Sequence, residues 1–194
     1  SRLGWYDLAV TTATELEIFF DYALLYPTPY AELVEAAARE FDLEPAMLYA
    51  IMRQESLFRT DVQSSAGARG LMQLQPGTAE AVLRRLGEPV PRTLDLLDPA
   101  TNIRLGAAEF ARLLERYDDH AVPALAAYNA GPTPVDRWLP DQPVEGDIWL
   151  ENVPYNETRD YVRRVLWHSV VYEWLERGRG VDVDHWLDDV RPLP

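Results

Sequence analysis

The chain has 194 residues, of which 47% are hydrophobic and 11% aromatic: enough apolar material for one sizeable core, and too much for a disordered chain. No apolar run approaches the length needed to span a bilayer, and a formal charge of −14 with 18 scattered arginines and no lysine sets nucleic-acid binding aside. The absence of cysteine removes disulfides, thiolate nucleophiles and zinc-thiolate sites, and three isolated histidines (His120, His168, His185) lack metal-ligand spacing, so neither a metal nor a cofactor is expected.

The first 26 residues read as a separate helical extension before Pro27 and Pro29; no charged stretch followed by an apolar one marks a signal peptide after Ser1. Apolar residues recur at threes and fours over 31–41 and 45–58, with Pro45 suited to a first helical turn. Residues 68–74 have a little strand character. Pro76 opens a helix that Gly87 stops, and Asp98 caps another in which Ile103, Ala107, Phe110, Leu114 and Tyr117 form one stripe. The Ala-rich segment 121–130 ends at Gly131-Pro132, leaving Tyr128 and Asn129 on its last turn. Residues 140–147 read as an acidic surface loop, and Asn156 as the cap of a long helix ending at Gly178. Trp167 and Trp174 on that helix read as core or domain-contact residues, and alternation over 181–184 permits a short strand. The fold class is mainly α, divided as an extension (1–29), a main domain (30–178) and a tail (179–194).

Glu55 follows Leu48, Ile51 and Met52 at helical spacing, which turns it toward apolar neighbours. Lost hydration there raises a carboxyl's pKa and keeps it protonated, as a general acid requires. On spacing alone the ordinary reading prevails, a Glu turned to solvent or paired with Arg53 or Arg59. The stretch from Ser64 to Gln73 is rich in small residues that let backbone approach a ligand, although such residues also make plain turns.

Four motifs in order change that balance: Glu55-Ser56; Ser64 with Gly67-Ala68-Arg69-Gly70-Leu71-Met72-Gln73; Ala127-Tyr128-Asn129-Ala130-Gly131-Pro132; and Glu151 with Val153-Pro154 and Glu157-Thr158-Arg159-Asp160-Tyr161-Val162. Together they resemble the catalytic domain of soluble lytic transglycosylases over roughly residues 30–175. The resemblance implies a goose-type-lysozyme-like helical fold with a cleft and a small β-hairpin beside it, around the Gly-rich stretch. It implies Glu55 as the sole acid/base, Tyr128 as the residue that positions the reacting group, and Ser64, Gly70, Leu71, Met72, Gln73, Asn129 and Glu151 as contacts to the glycan. The sequence departs from the family habit at Thr60, where a proline is usual, and in the acidic loop 141–147.

The same resemblance implies the substrate, bacterial peptidoglycan, and a place of action outside the cytoplasm, in the periplasm or cell envelope. Most glycosidases flank the bond with two carboxylates. Asp61, Glu80, Asp118, Asp119 and Glu157 are available by composition, but each reads as a solvated or capping group. In the implied mechanism Glu55 protonates the β-1,4 oxygen between N-acetylmuramic acid and N-acetylglucosamine while the N-acetyl group stabilises the sugar carbon. It then takes the C6 hydroxyl proton as a 1,6-anhydro ring closes. A hydrolytic lysozyme and a non-catalytic peptidoglycan-binding module are the alternatives. Nothing in the sequence names a protein partner.

Overall fold

The computed structural model describes residues 6–17, 21–186 and 188–193. Parts of the expected extension and tail (1–5, 18–20, 187 and 194) lie outside the described residues. The chain divides into two compact units, Ser1–Ala108 and Glu109–Pro194.

The first unit contains α1 (Tyr6–Glu15), α2 (Tyr22–Leu25), α3 (Ala31–Phe41), α4 (Pro45–Ser56), α5 (Pro76–Arg85) and the start of α6 (Pro99–Arg116). Helix α3 shows why pattern reading works here: Val34, Ala37 and Ala38 are buried at threes and fours, and the helix packs on α4. Helix α4 is different, because every residue from Ala46 to Arg53 is buried. A helix apolar on all sides is a central core element rather than a surface one. It ends at Ser56, short of the expected residue 58, because Leu57 (φ 49°) and Phe58 (φ 66°) both turn left-handed. Asp98 caps α6 as expected, its carboxylate accepting the Thr101 N–H at 2.9 Å. Arg104 of α6 reaches both Glu40 of α3 (2.6 Å) and Glu88 (2.7 Å), anchoring that helix to its neighbours.

The second unit is built around α7 (Ala121–Ala130), whose residues Val122 to Ala127 are all buried. It packs against α8 (Pro132–Asp136), α9 (Gly146–Asn152) and α10 (Asn156–Arg177). Tyr155, rather than Asn156, stands at the N-cap of α10, and Gly178 closes its other end at φ 64°. The inward stripe of α10 is Thr158, Tyr161, Val162, Val165, Ser169 and Tyr172. Trp167 and Trp174 fall on the other side and are 63% and 41% exposed, so neither is a core residue. Within the α6 stripe Leu113, not Leu114, is the fully buried leucine.

The only regular sheet among the described residues is a two-strand ladder, β1 (Val144–Glu145) antiparallel to β2 (Asp189–Val190), with Val144 opposite Val190. The acidic loop therefore contributes a strand. Residues 181–183 are irregular and Asp184–Trp186 form a 3₁₀ turn, so the strand expected at 181–184 lies further along. The β-structure of the Gly-rich stretch amounts to two isolated antiparallel bridges, Gln63 to Arg69 and Arg69 to Leu74. His120 ties the tail to α7: one ring nitrogen accepts the Val122 N–H at 3.3 Å and the other donates to the Asp188 carbonyl at 2.7 Å.

Candidate active site

Glu55 occupies the last turn of α4 and is half-buried, between the fully buried Met52 and the buried Ser56. Its environment is set by the turn that follows. Two left-handed non-glycine residues in succession cost on the order of 1–3 kcal/mol each, and such strain persists only where surrounding contacts enforce it. Ser56 supplies part of that enforcement. Its hydroxyl accepts the Phe58 N–H at 3.1 Å and donates to the Leu71 carbonyl at 2.8 Å, with the Met52 carbonyl at 3.1 Å as a second acceptor. Phe58 is buried and meets Tyr6 edge to face at 6.5 Å. Of the two cations that the sequence allowed as partners for Glu55, Arg53 lies over the Tyr26 ring at 4.6 Å and Arg59 pairs with Asp61 at 3.3 Å.

The Gly-rich segment is brought onto this turn by Ser56. Ser64 closes its first bend, its N–H donating to the Ala68 carbonyl at 2.9 Å and its hydroxyl accepting the Ala68 N–H at 3.0 Å. Leu71 and Met72 have fully buried side chains, so any contact they make with a ligand is through backbone. Gln73 sits at φ 47°, and its carboxamide nitrogen donates to the Gly70 carbonyl at 2.8 Å and the Val62 carbonyl at 3.2 Å. Two carbonyls around one atom identify that atom as the nitrogen. The Gln73 donors are thereby used within the turn.

Sequence reading missed Asn102, which is wholly buried and organises this segment. Its amide oxygen accepts the Met72 N–H at 2.7 Å, and its nitrogen donates to the carbonyls of Arg69 (2.9 Å) and Leu96 (2.8 Å). A lone Asn in a helix reads as a surface polar residue; the available signal was its place between the apolar Ile103 and the cap at Asp98.

In the second unit Tyr128 and Asn129 occupy the last turn of α7, half-buried, with Gly131 ending the helix at φ 83°. Tyr128 packs edge to face on Phe110 at 6.3 Å. Asn129 accepts a hydrogen bond at 2.8 Å from Thr158, which is 1% exposed on the first turn of α10. Thus the Ala-Tyr-Asn-Ala-Gly and Glu-Thr-Arg-Asp-Tyr motifs meet through their polar side chains. Glu151 is exposed and paired with Arg163. Trp149 is buried with its indole N–H on the Trp138 carbonyl at 2.9 Å, whereas Tyr155 is exposed against the Trp138 ring at 4.8 Å. The alternative carboxylates are ordinary: Asp61 pairs with Arg59, Glu80 with Arg84, and Asp118, Asp119 and Glu157 are exposed.

Comparison with known proteins gives the family and the fold. The family model for the transglycosylase SLT domain matches residues 32–148. The soluble lytic murein transglycosylase of Salmonella typhimurium is 33% identical over 87% of this chain and 26% of its own length, and that of Escherichia coli K12 is 31% identical over 88% and 27%. An inactive Glu-to-Gln mutant of the lytic transglycosylase Slt from Pseudomonas aeruginosa superposes with a TM-score of 0.89 at 35% identity, over 98% of this chain and 31% of that one. The 70-kDa soluble lytic transglycosylase in complex with bulgecin A superposes with a TM-score of 0.86 at 28% identity, over 95% and 31%. The chain thus spans under a third of the length of these relatives. With its predominantly helical, lysozyme-like fold and its ordered motifs, it belongs to the soluble lytic transglycosylase family, as a transglycosylase SLT domain.

Proposed function

We propose that the chain is a peptidoglycan lytic transglycosylase, cleaving the β-1,4 bond between N-acetylmuramic acid and N-acetylglucosamine and leaving 1,6-anhydro ends. Residues 30–178 are its catalytic domain and Glu55 its acid and base. The observation that carries this reading is the 2.8 Å bond from Ser56 to the Leu71 carbonyl, which joins the Glu55 turn to the Gly70–Gln73 segment. A half-buried carboxyl beside a backbone-rich, tightly wound segment suits an acid that protonates a glycosidic oxygen of a sugar held next to it. That the Pseudomonas aeruginosa relative is inactive with one Glu replaced by Gln supports the same assignment.

Tyr128 is the second member of the machinery, and Ser64, Gly70, Leu71, Met72, Gln73, Asn129 and Glu151 are the glycan contacts, Leu71 and Met72 through backbone alone. Peptidoglycan strands are the substrate and the cell envelope is the place of action. No helix among the described residues is long and apolar enough to cross a membrane.

The test is mass analysis of soluble products released from purified peptidoglycan by this chain and by Glu55→Gln. Products one water lighter than hydrolytic ones, absent with the variant, are expected. Reducing-end products would mean a hydrolytic lysozyme, and inertness of both proteins toward peptidoglycan that they nonetheless bind would mean a binding module.

A further inference from the structure

The Gly70–Gln73 segment is irregular, and irregular backbone must find hydrogen-bond partners outside any helix or ladder. Helix α6 provides them on one face. Asn102 takes the Met72 N–H and gives both of its own N–H groups to the carbonyls of Arg69 and Leu96, so its donor capacity is exhausted. One helical turn on, Gly106 lies on the same face. A Cβ there would stand 2.4 Å from the Met72 sulfur and 2.8 Å from its Cβ, so only the missing side chain leaves room for Met72. A third close approach completes the seat, for a Cβ on Gly70 would stand 2.2 Å from the Leu96 carbonyl and 2.5 Å from the Asn102 nitrogen.

We infer that Asn102 is a positioning residue for glycan binding: with Gly106 it forms a seat on α6 that sets the height and tilt of the Gly70–Gln73 backbone. This rests on the glycan-cleaving reading above. The carboxamide does more than fill space: an apolar side chain at residue 102 would leave the Met72 N–H and the carbonyls of Arg69 and Leu96 without that partner, free to shift toward another. What the carboxamide adds is a fixed position for Met72 N and Arg69 O, on either side of Gly70 and Leu71. Asn102 touches no substrate, and its effect passes through backbone.

Asn102→Asp is the informative variant. It keeps the shape and the acceptor for the Met72 N–H, but replaces both donors with an oxygen facing two carbonyls. The segment must move to relieve that opposition. Gly106→Ala moves it from the other side, by displacing the flexible Met72 sulfur, and carries the same test if Asn102→Asp does not fold. Leu113→Ala, a core truncation in the other unit, is the control for lost stability alone.

The measurement is steady-state kinetics on soluble uncrosslinked glycan strands, with unfolding midpoints taken in parallel and assays run well below them. Displaced binding backbone raises KM by about tenfold in either seat variant while kcat stays within about threefold, and Leu113→Ala leaves both within about twofold. Folded seat variants with unchanged KM overturn the inference, as does a control that raises KM equally. Inert wild-type protein instead overturns the glycan-cleaving reading, and the inference with it.

Discussion

The Ser56 hydroxyl and the Leu71 carbonyl lie 2.8 Å apart across fifteen residues of sequence, both buried, and the same hydroxyl accepts the N–H of a left-handed Phe58. Ser56→Ala leaves a buried carbonyl and a buried N–H without that partner. Stability falls by about 1–3 kcal/mol on denaturant titration, since unsatisfied buried groups cost their desolvation. Activity on peptidoglycan falls further than stability accounts for, because the Glu55 turn loses its tie to the Gly-rich segment.

Two glycines in the first unit respond in opposite directions to the same added methyl. Gly70→Ala forces a Cβ against the Leu96 carbonyl at a φ of 75°, and thermal unfolding shows a loss of about 3 kcal/mol or more. Gly77 lies in the first turn of α5 with nothing within 4 Å of an added Cβ, and Gly77→Ala stabilises by up to about 1 kcal/mol through reduced freedom of the unfolded chain.

Stability at the pH extremes depends on a small cluster in the second unit. Burial alone would raise the carboxyl of Asp136, but hydrogen bonds from Arg116 (2.6 Å) and Tyr117 (2.9 Å) hold it below its ordinary value of 3.8. Its contribution is therefore present above about pH 4 and is lost as pH falls through the depressed folded value. Burial, and then Asp136, push the Tyr117 hydroxyl far above its ordinary 10.0, so that contribution is intact below pH 10 and is lost as pH rises beyond it. Asp136→Asn costs about 1 kcal/mol at neutral pH, a modest figure because the Arg116 side chain is 37% exposed. It also flattens the acid limb of a stability-against-pH curve, while Tyr117→Phe flattens the alkaline limb.

Thr158 is the buried link between α7 and α10 through Asn129. Thr158→Val keeps the shape and removes the donor, lowering stability by about 1–2 kcal/mol, whereas Thr158→Ser retains the bond. Activity assayed well below the unfolding midpoint follows the same order, Ser above Val, if Asn129 must be held to contact the glycan.

Much of the fold was legible because its punctuation is local. Pro45, Pro76 and Pro99 open helices and Gly87, Gly131 and Gly178 lie at or just beyond helix ends, each acting within its own turn. The β1 and β2 ladder was not legible, since Asp189 and Val190 carry no mark of the partner they meet at Val144 and Glu145. For Trp167 and Trp174 the core half of the reading came from residue type and does not hold, while their exposure leaves the domain-contact half in place. Their spacing from Val162, Val165, Ser169 and Tyr172 already put them on the outer face, and periodicity outweighs aromatic character. In the candidate site the motifs announced Glu55 and Tyr128, but Asn102 and Gly106 act through contacts thirty or more residues away in sequence, which no local pattern encodes.

The start of α9 has a consequence for the order in which the second unit assembles. A Cβ on Gly146 would stand 2.5 Å from the Trp186 carbonyl and 3.1 Å from that of Asp188, so tail backbone runs directly over this residue. Closing so long a loop is entropically expensive, and a two-residue ladder returns few hydrogen bonds for it. The tail therefore docks after α7 and α10 have packed and is the first part to reopen. Amide exchange at Glu145 and Val190 runs ahead of exchange in α7, and early proteolytic nicks fall between residues 179 and 183, upstream of the point where the tail is held.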